Sequence, residues 1–339
     1  MKKYVLFIGI DISKKWIDVS LSLDGQKSEM LHQVFDNQVK GFNKMLKWIN
    51  SYAKSQQIEA QHWVFCMEHT GLYHLPLCCF LAEQKLDYIQ QSALAIHLSL
   101  GLKRGKNDKA DSMDIARYAY LHRKELKVSN LPDHAIMKMK NLLAFRARLI
   151  KYKGGLLVAA KEMDDFMTQE LTSDIVSDTN DLTDLIKDKI RKTEQQLKSI
   201  VAENETLQKG YDLATSVKGI GLVSAMYLIV YTNGFKAFPD ARKFACFIGI
   251  APFAKQSGTS LNQTAKVSNL GHRKLKSILS NAAMSAIKYD QQIKAYYLRK
   301  IDEGKNKFSV FNAVKNKLVA RVFATVKRGT PYVELNAYA

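Results

Sequence analysis

Tyr4-Val-Leu-Phe-Ile-Gly-Ile-Asp11, continued by Ile12-Ser-Lys-Lys-Trp-Ile-Asp-Val-Ser-Leu-Ser-Leu23, decides the fold of this chain. The first run is apolar without a break, as a strand covered on both faces must be, and it stops at a carboxylate. Trp16–Leu23 alternates, and Asp24-Gly25 turns the chain into a third strand near Met30–Phe35. Further on, Phe42, Met45, Leu46 and Ile49 recur at helical spacing, and His62–Met67 is a second buried-type strand. A helix over Leu72–Gln84, a short strand over Asp87–Gln90 and a helix over Lys109–His122 complete the stretch. Three antiparallel strands followed by helices alternating with strands predict an α/β domain.

The chain has 339 residues, 47% hydrophobic and 24% charged, which is globular composition and enough for two or three cores. No apolar run reaches the roughly 20 residues of a membrane span. The opening Met1-Lys2-Lys3-Tyr4 runs into Asp11 too soon for a signal peptide, so the cytoplasm is the expected compartment. Cys66, Cys78, Cys79 and Cys246 form no C-x-x-C pair and the histidines no metal-binding spacing, which predicts free thiols and no zinc site. Lys plus Arg is 51 against 32 for Asp plus Glu, a formal +19. The segment Lys161–Lys209 holds 12 acids and 7 bases, so the rest of the chain carries +24. A polyanionic partner is implied, and no basic amphipathic helix points to a membrane.

Residues 132–209 read as helical. Leu182, Ile186, Ile190, Leu197, Ile200, Val201 and Leu207 predict one long amphipathic helix, paired with another near Ile136–Phe166, with Thr168–Thr183 as the turn. Such a hairpin or coiled-coil arm is either a dimerisation element or part of an ordinary bundle. The expected division is therefore 1–130 α/β, 131–209 helical arm, and 210–339 a basic, helix-rich domain.

Four acids stand where a two-metal phosphodiester site needs them. Asp11 ends the first strand, Glu68 ends a later one, and Asp108 and Asp111 lie three apart at the start of a helix, on one face. Gathered like charges require a counterion, and Mg²⁺ (or Mn²⁺) supplies it while holding both reacting oxygens of a phosphodiester. With these acids, the strand order is that of the RNase H-like fold. Taken singly, a strand-end Asp is a turn-former and first-turn helix acids serve the helix dipole. Asp18 and Asp114 read as solvated or structural.

Val217-Lys218-Gly219-Ile220-Gly221-Leu222 has the form of a helix-hairpin-helix turn, in which Lys218, Gly219 and Gly221 would meet phosphate; the alternative is a helix connection made for packing. No acid occurs between Asp240 and Asp290, where Arg242, Lys243, Lys255, Lys266, Arg273, Lys274, Lys276 and Lys288 stand. Within this window Ala254-Lys-Gln-Ser257-Gly-Thr-Ser260 is either an ordinary loop or a hydroxyl-bearing one whose Ser257 is activated toward phosphate by nearby cations.

Taken together, the sequence resembles, over nearly its full length, the Asp-Glu-Asp-Asp insertion-sequence transposases related to the Piv DNA invertase, whose studied members are bridge-RNA-guided recombinases. The resemblance implies a RuvC-like, RNase H-fold N-terminal domain with Asp11, Glu68, Asp108 and Asp111 as metal ligands. It also implies a C-terminal transposase domain with Ser257 as nucleophile. It further implies a covalent phosphoserine intermediate, active sites shared between the subunits of a dimer or tetramer, and a noncoding bridge RNA pairing with donor and target double-stranded DNA. Guide pairing accords with the lack of a base-reading motif. The sequence departs from its relatives at Lys218, often Pro, at Ser112, commonly Ala, and at His69, where a small residue is usual.

Three rival readings use the same residues. A RuvC-like junction-resolving endonuclease would use water as nucleophile, leaving Ser257 structural. A non-catalytic nucleic-acid-binding regulator would not keep four acids. An actin-like ATPase, which also opens on Gly9-Ile10-Asp11, would need a Gly-rich phosphate loop after the first hairpin, and none is visible.

Overall fold

The unbroken apolar run forms strand β1 (Leu6–Ile12), the middle strand of a five-stranded sheet. The structure, a computed structural model, describes residues 3–69, 71–101, 107–257, 261–267 and 270–333, with backbone alone over 254–257 and 261–266. Strand β2 (Trp16–Ser22) pairs antiparallel with β1, and β3 (Leu31–Asp36) antiparallel with β2. On its other side β1 pairs parallel with β4 (Trp63–Glu68), which pairs parallel with β5 (Tyr88–Gln91). The order β3-β2-β1-β4-β5 sets three antiparallel strands beside two parallel ones, in a mixed α/β unit.

Helices α1 (Val39–Ser55) and α2 (Leu75–Glu83) cover one face of the sheet, where Leu6, Ile8 and Ile10 meet Phe42, Met45, Leu77 and Leu81. Helices α3 (Ala93–Leu100) and α4 (Asp108–Leu121) belong to the other face, where Phe7, Val64 and Cys66 meet Ile96, Ile115 and Ala119. Burial on both faces explains why β1 and β4 read as continuous apolar runs. The sequence reading passed over α3 because Ala-Leu-Ala-Ile-His-Leu-Ser-Leu has no polar face; Ser92 starts the helix by accepting from the Ala95 amide. All four cysteines are free, Cys66 and Cys78 buried but Cys79 and Cys246 only half-buried, and burial pushes the Cys66 thiol up to about 12.

Residues Pro132–Ala339 form a second unit, distinct from Met1–Leu131. It opens with a hairpin of α5 (His134–Phe166) and α6 (Gln169–Ala202), so the turn is only Met167-Thr168 and the expectation of a turn over Thr168–Thr183 is corrected. The polar stretch is helical because its threonines face α5. Thr172, Thr179, Thr183 and Thr193 are buried, and the hydroxyls of Thr172, Thr183 and Thr193 donate to carbonyls of their own helix. Residues 172, 176, 179, 183, 186, 190, 193, 197 and 200, alternating four and three apart, are all covered, as are 188, 194 and 201. Across the seam Arg146 meets Glu194 at 2.7 Å. The helix stops at Ala202, before Leu207. Asn204 caps the separate α7 (Glu205–Thr215) by accepting from the Leu207 amide.

At its root the hairpin shares a core with the later helices of this unit, as Met139, Leu143, Leu197 and Val201 pack with Met226, Phe244 and Leu279. Helices α8 (Leu222–Tyr231) and α9 (Ala241–Ile248) lead to a β-hairpin of β6 (Pro252–Ser257) and β7 (Leu261–Val267), then to α10 (Arg273–Tyr289), α11 (Gln291–Asp302) and α12 (Lys307–Arg328). The β-hairpin corrects the expectation of helices and loops alone; neither strand alternates polar with apolar, so nothing in the pattern marks them. Buried Asp290 ties the last helices together, accepting from the Ile293 amide at 2.9 Å and from Arg321 at 2.6 Å. Among the described residues no helix is long and apolar enough to cross a membrane.

Candidate active site

The acids come together because of a glycine. Along β1 the side chains alternate, so Phe7, Gly9 and Asp11 point to the face that α4 covers. A Cβ on Gly9 would lie 2.2 Å from the Ala116 amide nitrogen and 2.2 Å from the Ser112 carbonyl oxygen. Only a hydrogen fits there, and α4 lies directly on the strand. Its first turn, opened by Asn107 accepting from the Lys109 amide, then brings Asp108 and Asp111 to Asp11. One carboxylate oxygen from each of these three residues lies within 4.8 Å of the others. Glu68 ends β4, one residue beyond the Ile10–Met67 pair, and so stands beside Asp11 on the neighbouring strand.

The electrostatics carry the same signature. Burial first, and then the charges of Asp108, Asp111 and Glu68, raise the Asp11 carboxyl to about 6. Three carboxylates within reach of one position, with the charge of Glu68 acting on Asp11 as well, suit a divalent ion with a preference for oxygen. The donor set fits Mg²⁺ or Mn²⁺.

The neighbours sort themselves. Asp18 bonds His32 Nε2 at 2.8 Å, and Asp114 pairs with Lys27, so each has a partner of its own. Ser112 is fully buried and bonds Ser20 Oγ on β2 at 2.7 Å while donating to the Lys109 carbonyl. His97 of α3 was not singled out by sequence; its Nε2 lies 4.0 Å from Glu68 Oε1. The Ser92 cap was the available sign that a helix would bring it there.

In the second unit Ser257 is the last residue of β6, opposite Leu261, and not in a loop. Its side chain, those of Lys255 and Lys266, and residues 258–260 lie outside the described residues. Arg273 and Lys274 are exposed in the first turn of α10, and Lys276 follows, half-buried. Lys218 is exposed in the turn before α8. Gly219 has φ +94°, and a Cβ there would lie 2.7 Å from Ala286 Cβ and 2.8 Å from the Ala282 carbonyl, so this glycine serves contact with α10. Gly221 meets nothing within 4 Å and stands exposed at the start of α8.

Comparison with known proteins matches both units. Residues 8–155 match a family described as Transposase, of the Asp-Glu-Asp-Asp type of IS110, and residues 211–298 match the Transposase IS116/IS110/IS902 family. The chain is 24% identical over 331 residues to the pilin gene-inverting protein of Moraxella bovis, covering 96% of this chain and 97% of that one. The pilin gene-inverting protein of Moraxella lacunata matches to the same extent. An uncharacterized 43.6 kDa protein of insertion element IS110 from Streptomyces coelicolor is 28% identical over 141 residues, 41% of this chain and 35% of that one. With an acidic cluster in the first unit and a transposase domain in each, the chain is an enzyme of DNA transposition and recombination, bearing IS110/IS116/IS902-family transposase domains and homologous to the pilin gene-inverting proteins.

Proposed function

We propose that the chain is the strand-transfer enzyme of an insertion sequence, cutting and exchanging donor and target double-stranded DNA through a serine–phosphate link. The convergence of Asp11, Asp108 and Asp111, with Glu68 beside them, carries this reading. The sheet order supports an RNase H-like, RuvC-like fold for residues 1–130. Asp11 and Glu68 are fixed by the strand ladder and Asp108 and Asp111 by the helix that Gly9 admits, so the ligand set is rigid before an ion enters. When bound, Mg²⁺ or Mn²⁺ supplies neutralisation of the charge that gathers on the phosphoryl oxygens.

Ser257 is the nucleophile. Its hydroxyl oxygen bonds to phosphorus, the bond from phosphorus to the departing sugar oxygen breaks, and the hydroxyl proton passes through water to that oxygen. A sugar hydroxyl of the exchanging strand then attacks the phosphoserine and restores the free serine. The number of phosphodiester bonds is conserved, so no energy-rich cofactor is needed. Lys255, Lys266, Arg273, Lys274 and Lys276 grip the DNA backbone, and Lys218 and Gly221 meet phosphate at the start of α8. A helix-hairpin-helix role for that turn rests on Gly221, since Gly219 is occupied in packing.

A noncoding bridge RNA supplies sequence by pairing with donor and target, which suits a protein that offers cations without a base-reading element. The arm of residues 131–209 acts as a coiled-coil dimerisation element, bringing acids of one copy to the serine of another in a dimer or tetramer. Its exposed apolar residues support this. Phe145, Tyr152 and Phe166 on α5, and Leu171, Ile175, Leu182 and Leu185 on α6, recur at heptad-related spacing away from the seam.

The test is a denaturing gel of labelled donor and target DNA with protein, Mg²⁺ and the flanking transcript of the element. Wild type is expected to leave a protein–DNA adduct that Ser257→Ala lacks, and Asp11→Ala to lose strand transfer. Metal-dependent cleavage with no adduct would instead identify a junction-resolving nuclease that uses water.

A further inference from the structure

Lys315 lies mid-way along α12 with 6% of its surface exposed. An ammonium so far out of water is normally matched by a carboxylate. Here its Nζ donates to Ser280 Oγ on α10 at 3.3 Å and sits 5.1 Å from the centre of the Phe311 ring, and no ion pair forms with a described residue. The Ser280 hydroxyl is itself committed, donating to the Lys276 carbonyl at 2.9 Å. Burial, and then the charge of Lys276, hold Lys315 below the usual lysine range. Lys276 thus gives Ser280 its backbone carbonyl while its charge acts on Lys315, and two of the three N–H donors of Lys315 have no hydrogen-bond acceptor among the described residues.

The surroundings share this sign. Lys276 is in the second turn of α10, after Arg273 and Lys274, and the first turn of that helix holds no acid. The amide groups of Asn312, about one turn before Lys315, and of Asn316, the residue after it, both donate to the Ile250 carbonyl, at 2.7 and 2.8 Å. Ile250 stands two residues before β6, so this part of α12 is anchored to the root of the hairpin that carries Ser257. Lys276 and Ser280 are only half-buried, which leaves an approach on the α10 side.

We propose that Lys315, Lys276 and Ser280 form a cradle for one phosphodiester of a nucleic-acid backbone, held against the root of the β6–β7 hairpin. The proposal rests on the reading of the second unit as the part that handles nucleic acid, and it adds a site within it. The anion supplies the charge that α10 and α12 lack, and the Ser280 hydroxyl orients the ammonium toward it. Lys315 binds and positions the phosphate; no bond is made or broken by it.

Fluorescence anisotropy of the full chain with a labelled short DNA duplex, and separately with an RNA hairpin, across a salt series, tests this. Lys315→Met is expected to weaken binding about tenfold and to lower the slope of log affinity against log salt by about one. Its melting temperature should not fall, because an unmatched buried cation has been replaced by an apolar side chain of similar length. Lys315→Arg should keep the slope, and Lys189→Met on the arm should change nothing. Lys276→Met should lower the slope as well, and Lys315→Gln, which removes the charge but keeps a polar side chain, carries the test should Lys315→Met not fold. Loss on one probe assigns the phosphate to DNA or to RNA. Wild-type affinity and slope in Lys315→Met and Lys276→Met would remove the cradle and leave the nucleic-acid reading standing. Wild-type protein without salt-dependent binding to either probe would remove both.

Discussion

Gly9 and Ala116 are in backbone contact: a methyl group on the first would lie 2.2 Å from the amide nitrogen of the second. The sheet and the helix that carries half of the acids therefore meet at one hydrogen atom. Gly9→Ala should push α4 off β1, lowering stability by about 1–3 kcal/mol or more. It should also part Asp108 and Asp111 from Asp11. Thermal denaturation with and without Mn²⁺ checks this: the variant is expected to lose the metal-induced rise in melting temperature. A variant that keeps it would mean that the acids gather for another reason.

Asp11 gives the metal-free protein a defined pH dependence. Its folded pKa of about 6 lies above the unfolded value, so the folded state binds the extra proton between the two. For a carboxyl raised in this way, stability falls as pH rises from about 4 to about 6, and the loss is complete above that range. In chelator at pH 7.5, Asp11→Asn should therefore melt higher than wild type, with the gap closing toward pH 4. Added Mg²⁺ or Mn²⁺ should reverse the order at pH 7.5 by stabilising wild type alone.

Ser20 and Ser112 make a buried pair 2.7 Å apart. Removing one hydroxyl leaves the other without this partner in an apolar layer, so Ser112→Ala or Ser20→Ala should each cost about 1 kcal/mol. The double replacement should cost less than the sum, and a denaturant-based double-mutant cycle measures the coupling. Additive costs would mean that the bond contributes nothing.

The arm can be tested without DNA. Ile175→Glu and Leu182→Glu alter exposed positions on α6, so helix content should stay as it is. Sedimentation should show the wild-type assembly and a shift to monomer in the double variant. An unchanged sedimentation coefficient would place the contact between copies elsewhere.

Much of the first unit was legible because its physics is local. An unbroken apolar run ending in Asp11, and a second ending in Glu68, are what strands buried on both faces look like, and the α/β class followed. The role of Gly9 was not legible, since its reason is the backbone of residues more than a hundred positions away. Nor was that of Ser112, whose hydroxyl makes sense only beside Ser20. In the second unit the misreadings share a cause: residues without an apolar pattern were taken for turns or loops. Threonines form the buried face of α6, and β6 and β7 are made of residues with no alternation. Lys315 carries no mark in the sequence at all, because a lysine that leaves water looks like any other until its neighbours are known.

The threonine seam has a mechanical consequence. Near the root, Leu197 and Ile200 anchor α6 in the main core, whereas toward the tip the side chains that meet α5 are short and their hydroxyls are satisfied within their own helix. Grip between the two helices thus weakens with distance from the body, giving a lever with a firm pivot and a yielding end. Amide exchange should quicken progressively toward Met167, and slow again wherever a second lever lies alongside, so the stiffness of the tip reports the company it keeps.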